Sequence, residues 1–285
     1  MILVAKTAGF CFGVERAVSM AEETLRNAEC PVYSLGQLVH NESVISELEE
    51  KGLQVVERVE DLRDLPKGIV IIRAHGVPEE TEEKLREEGF EVVDATCPKV
   101  KHIQRIVRER SELGDTIIIA GDPDHPEVRS IVGRAKGPCY VVPEPEDFLN
   151  VTVSKDDHLT VVAQTTYSVK KFQKLLAIFN EFCYSPFIAD TMCRATRERQ
   201  EEARKIASES DVMIVIGSPR SSNSQKLRDV SNEYCSHTYF IQTADGLKPE
   251  WFFDAKTVGI TAGASTPKKI LTEVQIVVCQ NLNKC

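Results

Sequence analysis

The sequence predicts an α/β fold made of three related modules with mainly parallel sheets, and three observations carry that reading. Short apolar, β-branched runs alternate with longer stretches of helical period, as in strands joined through crossover helices. A cysteine closes a short strand and opens a helix at three places: ILVAKTAGFC ends at Cys11, EVVDATC at Cys97 and FIADTMC at Cys193. After each cysteine come two polar strand-to-helix loops, and their offsets recur along the chain.

In order, the apolar runs place strands at 2–5, 32–35, 69–73, 91–94, 116–120, 159–163, 187–190, 212–216 and 257–262. Helical periodicity fills the stretches 13–27, 79–88, 98–112, 169–182, 195–209 and 267–279. The cysteines then divide the chain into modules 12–96, 97–192, and 193–285 joined by the N-terminal strand 1–11. No low-complexity linker separates them.

The paired loops give the repeat its chemistry. The first module has SLGQLVHN with His40 and IIRAHGVP with His75, and the second has IIIAGDPDHPEV with His125 and Glu127, then VVAQTT with Thr165 and Thr166. The third has IVIGSPRSSNS with Ser221, Ser222 and Asn223, then ITAGASTP with Ser265. Ligands collect beyond the carboxyl ends of parallel strands, where such loops lie. Three modules around a pseudo-threefold axis would bring the cysteines to a central site ringed by six polar loops.

Composition narrows the function classes. The chain has 285 residues, 42% of them apolar and 28% charged, with a formal net charge of −9. That balance argues against bulk nucleic-acid binding, and no helix-turn-helix pattern stands out. No apolar run approaches a bilayer-spanning length, and the N-terminus lacks a secretory leader, so a cytoplasmic protein without membrane contact is expected. Nine cysteines cannot all pair within one chain, and a reducing compartment disfavours disulfides.

Three converging thiolates form a soft ligand set for Zn²⁺ or an iron–sulfur cluster. There is neither a C-x-x-C pair nor a fourth ligand in a repeated position, so one metal position would stay open to substrate. Each cysteine also sits at a predicted helix start, where amide N–H groups favour thiolate. The other six, Cys30, Cys139, Cys183, Cys235, Cys279 and Cys285, lack that context and read as structural, with Cys279 and Cys285 as exposed thiols.

The loop histidines, serines, Asn223 and a threonine are hydrogen-bond donors, and several lie where helix N-termini add free N–H groups, a combination suited to phosphate. With no GxxxxGK[ST] sequence and no Asp pair for Mg²⁺, a small diphosphate held without a metal is expected. Glu127, two residues after His125, is the carboxylic acid placed for proton transfer. The basic run KVKHIQRIVRER at 99–110 reads as a solvated face or a docking surface for an acidic electron donor. On these residues alone a zinc-dependent hydrolase and a cluster-containing redox sensor remain open beside a reductase.

Through AGFCFGVERA, LVHN, RAHGVP, DATCPKV, HPEV, AQTT, DTMCRATRERQ, SSNS and AGASTP the chain resembles the 4-hydroxy-3-methylbut-2-enyl diphosphate reductase (LytB/IspH) family over nearly its whole length. The resemblance implies a trefoil of three α/β modules around one 4Fe-4S cluster, with Cys11, Cys97 and Cys193 as ligands and the fourth iron open. It implies that His40, His75, His125, Ser221, Ser222, Asn223 and Ser265 bind the diphosphate. Thr165 or Thr166 would lie with Glu127 near the substrate hydroxyl, and Glu127 would be the proton source. The implied reaction is reductive dehydration to isopentenyl and dimethylallyl diphosphate, the last step of the methylerythritol phosphate route. Its electron donor would be of ferredoxin or flavodoxin type, and the enzyme a monomer or weak homodimer. GSPRSSNS departs from the family pattern, with Pro219 and Arg220 where a Lys-Asn type of pair is expected.

Overall fold

Strands such as TIIIA, VMIVI and LTVVA are buried along their whole length and mostly apolar because both of their faces are covered, the condition of a parallel sheet between helices. The computed structural model describes residues 1–282, so Cys285, expected to be an exposed thiol, lies outside the described residues. The chain runs β1 (Ile2–Val4), α1 (Phe12–Asn27), β2 (Val32–Leu35), α2 (Glu42–Glu50), β3 (Leu53–Val56), β4 (Ile69–Ile72), α3 (Glu79–Glu87) and β5 (Glu91–Asp94). It continues through α4 (Pro98–Glu112), β6 (Thr116–Ala120), α5 (Pro126–Val132), β7 (Cys139–Val142), β8 (Leu159–Ala163), α6 (Val169–Glu181) and β9 (Phe187–Ile188). Last come α7 (Arg194–Ser208), β10 (Val212–Ile216), α8 (Ser222–Tyr234), β11 (Thr238–Ile241), β12 (Val258–Ala262) and α9 (Lys268–Leu282).

These strands form three four-stranded sheets, β3-β2-β4-β5, β7-β6-β8-β9 and β11-β10-β12-β1, and every pairing is parallel. The order is the same in all three, with β1 serving as the fourth strand of the last. This bears out the α/β class with parallel sheets. Three edge strands, β3, β7 and β11, were not anticipated, and they hold the same edge position in each sheet. Helices α2, α5 and α8, each following the first polar loop of its repeat, were likewise not singled out. β9 is shorter than the expected 187–190, ending at Ile188.

Two compact units emerge from the packing. One comprises Met1–Glu15, His40–Ser46 and the chain from Arg194 onward; the other comprises Arg16–Val39 and Glu47–Cys193. In the first unit, Ile214, Ile216, Val258 and Ile260 pack against Ile270, Leu271, Val274 and Val278 of α9. The alternate residues Met213 and Val215 pack on Ala203, Ile206 and Ala207 of α7 and Leu227 of α8, so the period of two feeds two cores.

The second unit holds two sheets. In one, Ile118, Val161 and Ala163 meet Phe172, Leu175 and Phe179 of α6, while Ile117, Ile119 and Val162 meet Ile103 and Val107 of α4 and Val128 and Ile131 of α5. In the other, Tyr33, Leu35, Val70 and Ile72 pack on Leu62, Leu85 and Phe90. Among the described residues no helix is long and apolar enough to cross a membrane, and no disulfide forms. Cys235 is buried and Cys139 half-buried, whereas Cys30 and Cys183 are exposed, which corrects the structural reading for those two. Cys279 is exposed as expected.

Candidate functional site

Cys11, Cys97 and Cys193 each follow the fourth strand of a sheet and directly precede a helix. In each sheet that strand lies beside the third, so the cysteine arrives next to the loop that follows the third strand. One backbone contact recurs in all three cases. The Cys11 amide donates to Ala264 O at 3.1 Å, the Cys97 amide to Ala74 O at 2.9 Å and the Cys193 amide to Thr165 O at 3.1 Å. Ala264, Ala74 and Thr165 adjoin Ser265, His75 and Thr166, so each thiol is tied by backbone to a predicted substrate loop. All three cysteines are half-buried. The carbonyls of Cys11 and Cys97 accept the first helical amides, from Glu15 and Lys101, which places these residues at helix caps.

Side chains fix the approaches to these cysteines. In the first unit, Glu202 accepts from the Lys6 and Thr7 amides at 2.8 and 2.9 Å and from the Thr7 hydroxyl at 2.6 Å. Burial works against its ionised form, but the Thr7 hydroxyl and the two amides outweigh it and hold Glu202 below the usual carboxylate range. Arg199 donates to Gly9 O at 2.6 Å. In the second unit, Asp94 accepts the Thr96 amide at 2.9 Å, and Arg16 donates to Thr96 O at 3.2 Å. The Thr191 hydroxyl exchanges two 2.8 Å bonds with the Ala163 amide and carbonyl, closing the short β9 end onto β8.

The second unit assembles four of the predicted residues around one buried carboxyl. His125 caps α5, its Nδ1 accepting the Glu127 amide at 3.1 Å. In the neutral ring the proton therefore sits on Nε2, leaving that nitrogen as a donor. Burial, with the Arg73 guanidinium adding to it, pushes the His125 imidazolium down to about 4, so the ring is neutral at physiological pH. Glu127 is 2% exposed. Its two oxygens accept from the Thr165 amide at 2.6 Å and the Thr165 hydroxyl at 2.7 Å. Burial raises the Glu127 carboxyl above its ordinary value despite those two bonds.

His75 packs edge-on against His125 with ring centroids 5.2 Å apart. Its carbonyl accepts from Ser130 of α5 at 2.8 Å, and Gln104 of α4 donates to the Ser130 hydroxyl. The RAHG turn depends on Gly76, whose φ of +75° is left-handed and whose missing Cβ would lie 2.7 Å from Gln104 Nε2. Thr166 is half-buried beside Thr165.

The first unit presents the remaining donors. Ser221 caps α8, accepting the Ser224 amide, and both it and Asn223 are buried. Asn223 Nδ2 is buried with no hydrogen-bond partner among the described residues, a donor that a ligand could satisfy. Ser222 is half-buried in the first turn. Ser265 donates to His40 O at 2.9 Å, which fixes the backbone beneath the His40 imidazole. Asn41 accepts the Val44 amide at the start of α2. Asn41, His125 and Ser221 are thus the cap residues of three helices that each follow the second strand of a sheet, so three helix N-termini accompany the polar loops.

Each unit therefore brings its own share of the predicted residues to the carboxyl ends of its strands. Residues not foreseen are Asn41, Ser130, Gln104 and Glu202. Asn41 was legible as a helix-start signal after His40. Ser130, Gln104 and Glu202 lie within helices, where spacing gives no hint of the loop each one holds.

A family model described as LytB protein matches residues 2–278. The 4-hydroxy-3-methylbut-2-enyl diphosphate reductase of Alkaliphilus oremlandii is 42% identical over 275 residues, 96% of this chain and 97% of that protein. The Aquifex aeolicus protein of the same name is 39% identical over 277 residues, covering 96% of this chain and 94% of its own. Among solved structures, the E-1-hydroxy-2-methyl-but-2-enyl-4-diphosphate reductase of Plasmodium falciparum aligns with a TM-score of 0.91 at 28% identity, over 98% of this chain and 87% of that one. A structure described as (E)-4-hydroxy-3-methyl-but-2-enyl diphosphate reductase, the terminal enzyme of the non-mevalonate pathway, aligns with a TM-score of 0.71 at 38% identity, over 98% and 99%.

Proposed function

The chain belongs to the LytB protein family, and from that premise we propose that it is an iron–sulfur reductase converting (E)-4-hydroxy-3-methylbut-2-enyl diphosphate to isopentenyl and dimethylallyl diphosphate. The observation that carries the chemistry is the buried Glu127 carboxyl bonded through both oxygens to Thr165, in a loop whose backbone also anchors Cys193. The names of the relatives favour a reductase over the zinc-hydrolase and redox-sensor readings.

The donor set fits a cluster. Three half-buried thiols, each preceding a helix and each backbone-tied to a polar loop, are soft ligands with no repeated fourth partner. Cys11, Cys97 and Cys193 would hold a 4Fe-4S cluster, which would supply electrons and, at its iron without a cysteine, Lewis acidity.

The chain's own residues bind and protonate. In this reading His125 Nε2, the Asn223 amide, the Ser221, Ser222 and Ser265 hydroxyls, and His40 and His75 would each bind the diphosphate. The helix N-termini add amide dipoles. Neutral His125 enters as a hydrogen-bond donor, and the incoming anion favours its protonation.

The reaction consumes two electrons and two protons: one proton leaves with the hydroxyl as water and the other forms the new C–H bond. Glu127, whose carboxyl burial raises above its ordinary value, supplies the first. When the carboxyl carries the proton, its bond to Thr165 Oγ reverses direction, and the Thr165 hydroxyl passes its own proton toward the substrate. Thr166 lines the same loop.

In this reading residues 12–96, 97–192, and 193–285 with 1–11 are three equivalent modules, supported by the repeated strand order. The electron donor is a small ferredoxin- or flavodoxin-type protein, and the enzyme works in the cytoplasm as a monomer or weak homodimer. Mössbauer spectra of anaerobically purified protein, with and without the substrate, test the proposal. A 4Fe-4S signal with one distinct iron that changes on substrate addition is expected; absence of iron after anaerobic reconstitution would overturn it.

A further inference from the structure

We propose that Glu42 is a positioning residue that latches the diphosphate-binding loops of the first unit to the His40 segment. Glu42 is the first residue of α2, two positions after His40. Its Oε1 accepts from the Ser218 hydroxyl at 3.0 Å and its Oε2 from the Gln242 amide at 2.8 Å. Ser218 is 2% exposed and opens the turn that leads to Ser221. Its hydroxyl oxygen accepts the Arg220 amide at 3.1 Å while its carbonyl accepts the Ser221 amide at 3.0 Å. The single Ser218 proton therefore has Glu42 as its acceptor, and removing the carboxylate leaves a buried hydroxyl donor unsatisfied at the root of the SSNS loop.

Two residues before Glu42, His40 O accepts from Ser265. Residues 40–42 are thus held by three side-chain bonds, from Ser218, from Gln242 after β11 and from Ser265. This clamp lies beside Pro219 and Arg220. Pro219 offers no amide, and its carbonyl is engaged by the Gln225 side chain. Loop geometry here rests on Ser218 and, through it, on Glu42.

The inference rests on the diphosphate reading above, and its test separates the two. Holoenzyme carrying Glu42→Ala, Glu42→Gln, Ser218→Ala or the Glu42→Ala/Ser218→Ala pair is assayed for KM, kcat and inhibition by inorganic pyrophosphate. Glu42→Ala should raise KM and the pyrophosphate inhibition constant together by about tenfold, the scale of one lost charge-assisted hydrogen bond, with kcat changed less than about twofold. Glu42→Gln keeps an acceptor for Ser218 and should restore both constants. The double variant should be no worse than Glu42→Ala, because the two residues act as one unit.

Hydrogen exchange at the 221–224 amides gives a ligand-independent readout, and Glu42→Ala should accelerate it. Unchanged exchange and unchanged constants in Glu42→Ala would overturn the latch, as would equal losses in the Gln variant. A wild-type protein that neither reduces the substrate nor responds to pyrophosphate, yet shows the exchange difference, would retain the latch and sink the diphosphate reading.

Discussion

Replacing Glu127 by Gln isolates the proton from the shape of the site. The amide keeps the side-chain volume, and its oxygen can still accept the Thr165 amide that now lies 2.6 Å from Oε1. Its NH₂ takes the place of Oε2, and the Thr165 hydroxyl, 2.7 Å away, turns from donor to acceptor. Hydrogen bonds are conserved in number, so stability at neutral pH should change by no more than about 1 kcal/mol. Turnover should fall roughly 10²- to 10⁴-fold, the usual contribution of a positioned general acid, or about 3–5 kcal/mol of barrier. The assay is anaerobic reduction with an excess chemical one-electron donor, so that no protein partner limits the rate, alongside calorimetric substrate binding.

A second signature comes from pH. Burial raises the Glu127 carboxyl above 4.5 in the folded protein. The folded state therefore holds this proton more tightly than the unfolded chain. That contribution to stability is complete below about 4.5 and is lost as pH rises through the folded value. The wild-type rate should decline on the alkaline side of that value, while Glu127→Gln should be flat with pH and should lose less stability toward neutrality. Wild-type rates in the variant across about pH 6–9 would refute the acid role.

Thr165→Val removes the relay hydroxyl and one of the two bonds to the buried carboxyl. It should cost about 1–3 kcal/mol of stability and slow turnover without weakening pyrophosphate inhibition, as thermal melts and steady-state kinetics would reveal. His125 titrates near 4 when folded against 6.5 when unfolded, so its stabilisation is complete above about 6.5 and is lost as pH falls toward 4. The loss is on the order of 3 kcal/mol, and acid unfolding of His125→Asn, which keeps a cap, should show correspondingly less dependence on pH in that window. Gly76→Ala forces a side chain into a left-handed turn and against Gln104, so a penalty of about 1–2 kcal/mol or more is expected, with a raised KM through displacement of His75. Cys97→Ser should abolish stable iron incorporation, measured by iron and sulfide content; full iron content would contradict its role as a ligand.

The threefold pattern was legible because each cysteine and each polar loop falls at a strand end, where the apolar run stops abruptly. The edge strands were not. LQVV, CYVV and TYFI are short and pair on one side only, and, unlike the likewise short β5 and β9, none is followed by a repeated cysteine to mark its end. Helix α8 escaped notice for a different reason. Its buried face includes Asn223, Ser224 and Ser231 beside Leu227, so no apolar stripe marks it. Small residues are needed there because Ser224 approaches Gly217 and Gly263 so closely that a Cβ on either would fall about 2 Å from its hydroxyl. The loop residues of the candidate site could be read from type and spacing. Their supports could not: Glu202, Ser130 and Glu42 act on loops 55 to 196 positions away in sequence, and only the fold brings them there.

The pairing of β1 with β12 also orders the making of the protein. Ile2–Val4 leave the ribosome long before Val258–Ile260, which form their hydrogen-bonding edge. The sheets that seat Cys97 and Cys193 draw on contiguous stretches of chain and can form as those stretches emerge. Cys11 waits, because its amide needs Ala264 O and its strand needs β12. At roughly 5–20 residues per second, that interval lasts on the order of ten to fifty seconds. The seating of Cys11 is consequently timed by β12: a nascent chain can hold Cys97 and Cys193 in their backbone bonds well before Cys11 gains its own.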